Sequence, residues 1–171
     1  RFIRDIANGI WALCEQTTFT LPTHLNVEFP GAGLPSPERP ILALAASEAA
    51  ALLATADYFL RDELNALHPE FHKRMRYEVN RQILTPYLER TDYWWMAYEK
   101  PFTNNWNPWI TSNVLLCALV FSEGRDALAP LILKAVTVLD HFLNVYPEDG
   151  GCEEGPAYWN HAGGSLLACL N

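Results

Sequence analysis

The chain has 171 residues, half of them apolar and 19% charged, with 12 Lys+Arg against 20 Asp+Glu and a net charge of -8. That composition excludes simple disorder. The shortage of positive charge also excludes a dedicated nucleic-acid binder, because phosphate affinity needs concentrated Lys and Arg. No apolar run is long enough to cross a bilayer: residues 43–56 come nearest, and Ser47 and Glu48 interrupt them.

An apolar period through Phe2, Ile3, Ile6, Ile10 and Leu13 predicts a first helix over about 1–15. Pro40 opens a second, over about 40–66, filled by alanines with Leu44, Leu52, Leu53, Phe59 and Leu60. Phe71, Met75, Val79, Ile83 and Leu84 keep a 3–4 spacing through a third, over about 70–89. A fourth runs over about 108–122. The fifth, about 126–145, carries Leu128, Leu131, Ile132, Ala135, Val138, Leu139 and Phe142, and a sixth begins near Pro156. No alternating strand pattern appears, so the expected fold class is all-α. Apolar-periodic stretches stand at both ends, beginning at Arg1 without a Met, which predicts a fragment of a longer domain with any signal peptide outside it.

Connection lengths place these helices. Those near 66–70 and 122–126 are short and join antiparallel neighbours. Those near 16–39, 90–107 and 146–156 are long and rich in Pro, Gly, Asn and aromatic residues. If successive helices alternate up and down, all three long connections share one rim, the expected working rim. The helices starting at Pro108 and Pro156 then point the same way, each with Pro in its first turn and Asn107 as N-cap of the former. Their paired N-termini would offer unpaired N–H groups to a carboxylate or sulfate.

Two clusters on that rim carry candidate chemistry. In residues 104–109, NNWNPW, Asn107 has a capping role, whereas Asn104 and Asn105 have none and could donate to a substrate anion. In residues 149–161, DGGCEEGPAYWNH, Glu153 and Glu154 suit the following helix dipole. Tyr158 and His161, three apart on one helical face, offer a phenol and an imidazole for proton transfer. A packed aromatic and a hydrogen-bonded structural His are the plainer alternatives. His24, in a polar stretch with four Thr, is a substrate contact or an exposed loop residue. Tyr93-Trp94-Trp95 either stack on sugar rings or pack beneath their loop. His68 and His72 lie near a short connection on the opposite rim, so no metal pair is expected there. Cys14, Cys117, Cys152 and Cys169 lack metal-ligand spacing; the expectation is free thiols, buried for those on the apolar helices.

Taken together and in order, NNWNPW and then DGGCEEGPAYW resemble the N-terminal α/α-toroid domain of heparinase II/III-like polysaccharide lyases, kin of certain alginate lyases. IRDIANGI at 3–10, GIWALCEQTTFTLPTHL at 9–25 and EVNRQILTPYL at 78–88 look like the same family, so the resemblance covers nearly the whole chain. It implies that residues 1–171 are part of one incomplete α/α toroid of antiparallel helix pairs, with a C-terminal β-sandwich domain beyond them. The implied reaction is β-elimination on a uronic-acid polysaccharide of glycosaminoglycan or alginate type, leaving a 4,5-unsaturated uronate. Tyr158 matches the family Tyr by its EGPxYW setting. The residue that neutralises the substrate carboxylate should fall within NNWN, Asn105 first, then Asn104 and Asn107; members often have His there.

Trp106, Glu154 and His161 are expected to contact substrate on the same rim, with His24, Trp94 and Trp95 beside them. The resemblance implies no cofactor in these residues, leaves a structural metal to the absent domain, and suggests a periplasmic or secreted protein, with a cytoplasmic one left open. The implied partner is an acidic polysaccharide. The net charge of -8 repels heavily sulfated chains, which favours a sparsely sulfated or unsulfated uronate. A glycoside hydrolase on a similar helical frame would need two carboxylates facing across a cleft, whereas Glu153 and Glu154 are adjacent. A non-catalytic glycan-binding relative would bury Tyr158.

Overall fold

The computed structural model of the chain describes residues 2–28 and 34–171. Arg1, where the first predicted helix starts, and residues 29–33 of the first long connection lie outside the described residues. Among the described residues every regular element is helical and none is a strand, so the protein is all-α. In order these are α1 (Ile3–Cys14), α2 (Pro22–Glu28), α3 (Leu44–Leu67), α4 (Glu70–Val79), α5 (Thr85–Glu89), α6 (Trp106–Phe121), α7 (Arg125–Leu143) and α8 (Ser165–Leu170). A π-helical turn, Asn80–Leu84, joins α4 to α5, so 70–89 is one rod as its periodicity predicts. A 3-10 turn (Pro156–Tyr158) and a second π turn (Asn160–Gly164) lead into α8. Sequence reading missed α2 and the 3-10 turn at Trp94–Met96, both inside long connections; Pro22 at the first position of α2 was the available signal.

Residue pairings define two layers. Asn113 of α6 donates to Ser47 Oγ of α3 at 3.1 Å, and further along, Thr55–Arg61 share a groove with Leu116–Val120, so α3 and α6 run parallel. Trp109 lies on His161, and Asn113 and Leu116 lie beside Ala168 and Asn171, so the run into α8 is parallel to α6. In the other layer Trp11 of α1 meets Phe71 of α4 at 5.6 Å. Arg76 of α4 pairs with Glu123, and Lys134 of α7 reaches the Leu88 carbonyl at 3.1 Å. Thus α1, α4–α5 and α7 run together, opposite to α3, α6 and α8. Every long connection therefore leaves the layer of α1, α4–α5 and α7 and enters the layer of α3, α6 and α8 at the same rim.

Sequence explains the tight core beneath that rim. α3 buries Ala46, Ala50, Leu53, Ala54, Asp57 and Leu64 at 3–4 spacing, and its alanines let α6 approach closely. The long connections carry many backbone polar groups that burial would leave unpaired, and side chains satisfy them. Gln82, in the first π turn, accepts the Phe19 N–H at 2.8 Å and donates to Glu78 at 3.1 Å. Arg81 reaches the carbonyls of Thr17 and Pro37, holding the first connection from two sides. Arg90 donates to the Pro40 carbonyl at 3.1 Å and to the Tyr93 hydroxyl, which in turn accepts the Leu42 N–H.

Asn107 ties the second connection to both layers. Its side chain is fully buried, and Nδ2 donates to the carbonyls of Trp95 (3.1 Å) and Val138 (2.9 Å). The expectation that Asn107 caps α6 and meets substrate is therefore corrected. The backbone of Asn105 is already helical (φ -56, ψ -21) and α6 starts at Trp106, which turns Asn107 inward. Asn107→Ala removes two buried hydrogen bonds and should cost about 2 kcal/mol, each bond being worth about 0.5–1.5. Asn107→Asp should cost more despite its similar shape, since a buried carboxylate would face two carbonyl oxygens. Urea unfolding of the two variants, compared with wild type, checks that order.

Candidate functional site

The two motifs meet at the start of α6. Asn105 Nδ2 donates to the Glu154 carboxylate, and one turn on, Trp109 stacks on His161 with ring centroids 3.8 Å apart and planes at 12°. Tyr158 lies beside His161, centroids 6.2 Å apart. A chain of contacts thus runs Glu154–Asn105, along α6 to Trp109, then through His161 to Tyr158. Gly155 makes this approach feasible: its φ of +89 turns the chain from Glu154 into Pro156, a conformation L side chains rarely adopt.

The structure gives the three asparagines different surroundings. Asn104 Oδ1 accepts the Trp106 N–H at 3.0 Å, so Asn104 does cap α6, contrary to expectation. Asn105 is only 3% exposed, and its amide faces the rim through Glu154. The predicted backbone anion site at this helix end is also corrected. The N–H groups of Trp106 and Asn107 bond to Asn104, that of Trp109 bonds to the Asn105 carbonyl, and Pro108 has none, so these four positions offer no N–H to an anion. The side-chain amide at this end of α6 that meets a carboxylate is that of Asn105.

The aromatic residues divide sharply. Trp95 is fully buried, stacked between Tyr87 and Tyr93 at 6.3 and 5.6 Å, with Nε1 donating to the Leu42 carbonyl. It packs beneath the loop, and its expected substrate contact is corrected. Trp94, its neighbour, is partly buried and joins a partly exposed shelf. Trp94 meets Trp106 at 5.3 Å and Phe102 at 6.3 Å, and His24 stands edge-on to Trp106 at 4.9 Å. Phe102, 62% exposed, was missed by sequence reading; its place just before NNWN was the only signal.

Tyr158 is 45% exposed, and among the described residues its hydroxyl takes no hydrogen bond. Between the asparagines and the 146–154 segment lies a cavity of about 120 Å³, bordered by Phe102, Asn105, Phe142, Tyr146, Cys152 and Glu154. Among the described residues no group of three or more His, Cys, Asp and Glu is placed to hold a metal, and no helix is long and apolar enough to cross a membrane. His72 bonds instead to the buried Asp57 at 2.9 Å, and His68 Nδ1 accepts the Glu70 N–H. Set against models of known protein families the chain matches none, and no curated protein matches it either.

Two measurements follow from these environments. All four thiols are free. Burial pushes Cys14 up to about 11, and Cys117 and Cys169 up to about 12, which leaves little thiolate at neutral pH. Native alkylation followed by peptide mass analysis should therefore modify Cys152 first, at the cavity edge. Burial also lowers the pKa of His24 below its ordinary 6.5, against the opposing charge of Glu48. A depressed pKa means that the unfolded chain takes up a proton the folded chain refuses, so stability falls as pH drops from 6.5 through the lowered folded value. Wild type should lose more stability than His24→Gln between about pH 8 and about pH 5 in denaturant titrations.

Proposed function

We propose that the chain is helical machinery of a polysaccharide lyase that cleaves a uronic-acid polymer by β-elimination, its two layers forming part of an α/α toroid. The observation that carries the reading is the meeting of the two motifs on the long-connection rim, Asn105 on Glu154 and Trp109 on His161. Exposure of Tyr158 supports a chemical role over a packing one. The partly exposed shelf of Trp94, Phe102 and Trp106 suits the flat C–H faces of sugar rings.

In this proposal the Asn105 amide donates to the uronate carboxylate, whose charge grows toward an enolate as the C5 proton leaves. The C5–H electron pair becomes the C4=C5 double bond. The C4–O pair departs with the leaving oxygen, which takes the Tyr158 proton. The base at C5 is Tyr158 itself for one substrate stereochemistry: it starts as phenolate, takes the C5 proton, and as the phenol so formed gives that proton to the leaving oxygen. For the other it is a His from a β-sandwich domain outside these residues. No metal enters these steps.

The test uses the protein with whatever natural sequence flanks residues 1–171, on alginate, hyaluronan, chondroitin and heparan sulfate, following ultraviolet absorbance of the unsaturated uronate. Wild type should raise that absorbance. Tyr158→Phe should lower kcat about 10²–10⁴-fold, the usual worth of a positioned acid or base. Asn105→Ala should lower it about 10²–10³-fold, the cost of one lost anion-stabilising donor. New reducing ends without absorbance would mean hydrolysis and overturn the proposal. A rise that survives Tyr158→Phe would keep the lyase and remove Tyr158 from it.

A further inference from the structure

The amide assigned above to the substrate is already holding a carboxylate. Asn105 is 3% exposed, and Glu154 is the only side chain it bonds among the described residues. Elsewhere in the molecule, acids that fasten the fold are paired with cations. Asp57 is held by Arg61 and His72, Glu78 by Arg74 and Arg81, and Asp92 by Arg39 and Arg90. Glu154 is different: it is exposed, and among the described residues no cation lies within ion-pair distance. A single neutral N–H donor is weak anchorage for an ion that water would otherwise solvate. Glu148, Asp149 and Glu153 surround it in sequence, so an anion arriving at Asn105 meets negative charge as well as an occupied donor.

We infer that Glu154 is a specificity-determining residue: in the free protein its carboxylate occupies, on Asn105 Nδ2, the place of the substrate's own carboxylate. The inference rests on the reading of Asn105 proposed above. Binding is then an exchange in which the Asn105–Glu154 hydrogen bond breaks, an equivalent one forms to the uronate, and the Glu154 carboxylate turns into water. A sugar that lacks a carboxylate cannot replace the lost charge-assisted bond, so the exchange favours uronates over neutral sugars. Affinity for uronates is reduced by the same competition.

The test compares kcat and KM of wild type, Glu154→Gln and Glu153→Gln on the polyuronate that wild type cleaves best. Glu153→Gln removes the same charge one residue away. Thermal unfolding of each variant first establishes that the fold is retained. Glu154→Gln should lower KM about fivefold, the advantage of a charged over a neutral acceptor for one N–H, with the change on KM rather than kcat. Glu153→Gln should do less. Equal effects from the two variants would assign the change to long-range charge and overturn the inference. A fall in kcat at constant KM would make Glu154 an aid to the chemistry, which overturns it too.

If wild type cleaves no polyuronate, the proposed reaction fails, and calorimetric titration with glucuronate and with glucose still decides the inference. Tighter glucuronate binding in Glu154→Gln than in wild type and Glu153→Gln, lost when Asn105→Ala is added, supports it. Unchanged glucuronate binding, or an equal gain for glucose, overturns it.

Discussion

The rim depends on one buried carboxamide. Asn107 sits in the first turn of α6 and donates to a carbonyl of the second connection and to one of α7, so a single side chain fixes three elements against each other. Thr103 adds a bond to the same Trp95 carbonyl at 2.7 Å. With both bonds made, Trp95 lies buried between Tyr87 and Tyr93, and Trp94, partly buried, packs against Trp106. Asn104 is left partly exposed at the same turn, and Asn105, itself buried, turns its amide to Glu154. The candidate chemistry of the rim is thus set by packing beneath it, a rigid element presenting a short polar segment.

The other two long connections follow the same rule with different residues. Arg81 and Gln82 satisfy backbone groups of the first, from a π turn in the rod formed by α4 and α5. The third relies mostly on its own backbone and its aromatic residues, with Trp159 Nε1 donating to the Gly150 carbonyl at 3.0 Å. Among the described residues no Arg or Gln side chain bonds to it. The least fastened connection is therefore the one that brings Glu154 to Asn105, and this contrast in anchorage is what makes displacement of Glu154 physically reasonable.

Charge constrains the substrate from a second direction. A chain with a net charge of -8 and an acidic segment beside its candidate site works against a polyanion at long range. In the elimination proposed above, catalysis would gain nothing from steering. It would come from short-range donors that act only at contact, where a uronate carboxylate is desolvated and its growing charge is largest. Substrates with few sulfates fit that balance better than heavily sulfated ones.

Pattern along the chain is enough for the all-α class, the rod over 70–89, the alanine-rich α3 and the sorting of connections into short and long. These are local matters of period, propensity and punctuation, readable without knowing any neighbour. From them came the shared rim, because alternation of direction needs only connection lengths. The resemblance of NNWNPW and DGGCEEGPAYW to a lyase family suggested what the rim does, and the two motifs do meet there.

Which of several like residues faces where is settled by packing between the layers. Asn104, Asn105 and Asn107 are alike in type, yet one caps, one meets Glu154 and one is buried, because α6 begins two residues earlier than its proline implies. Trp94 and Trp95 are neighbours with opposite fates for a similar reason. Partners more than thirty residues away in sequence, Leu42 and Val138 among them, settle which carbonyl is left to be bonded and which indole fills the space beneath the loop. Those contacts form only when the layers pack, so no pattern within the motif could have announced them.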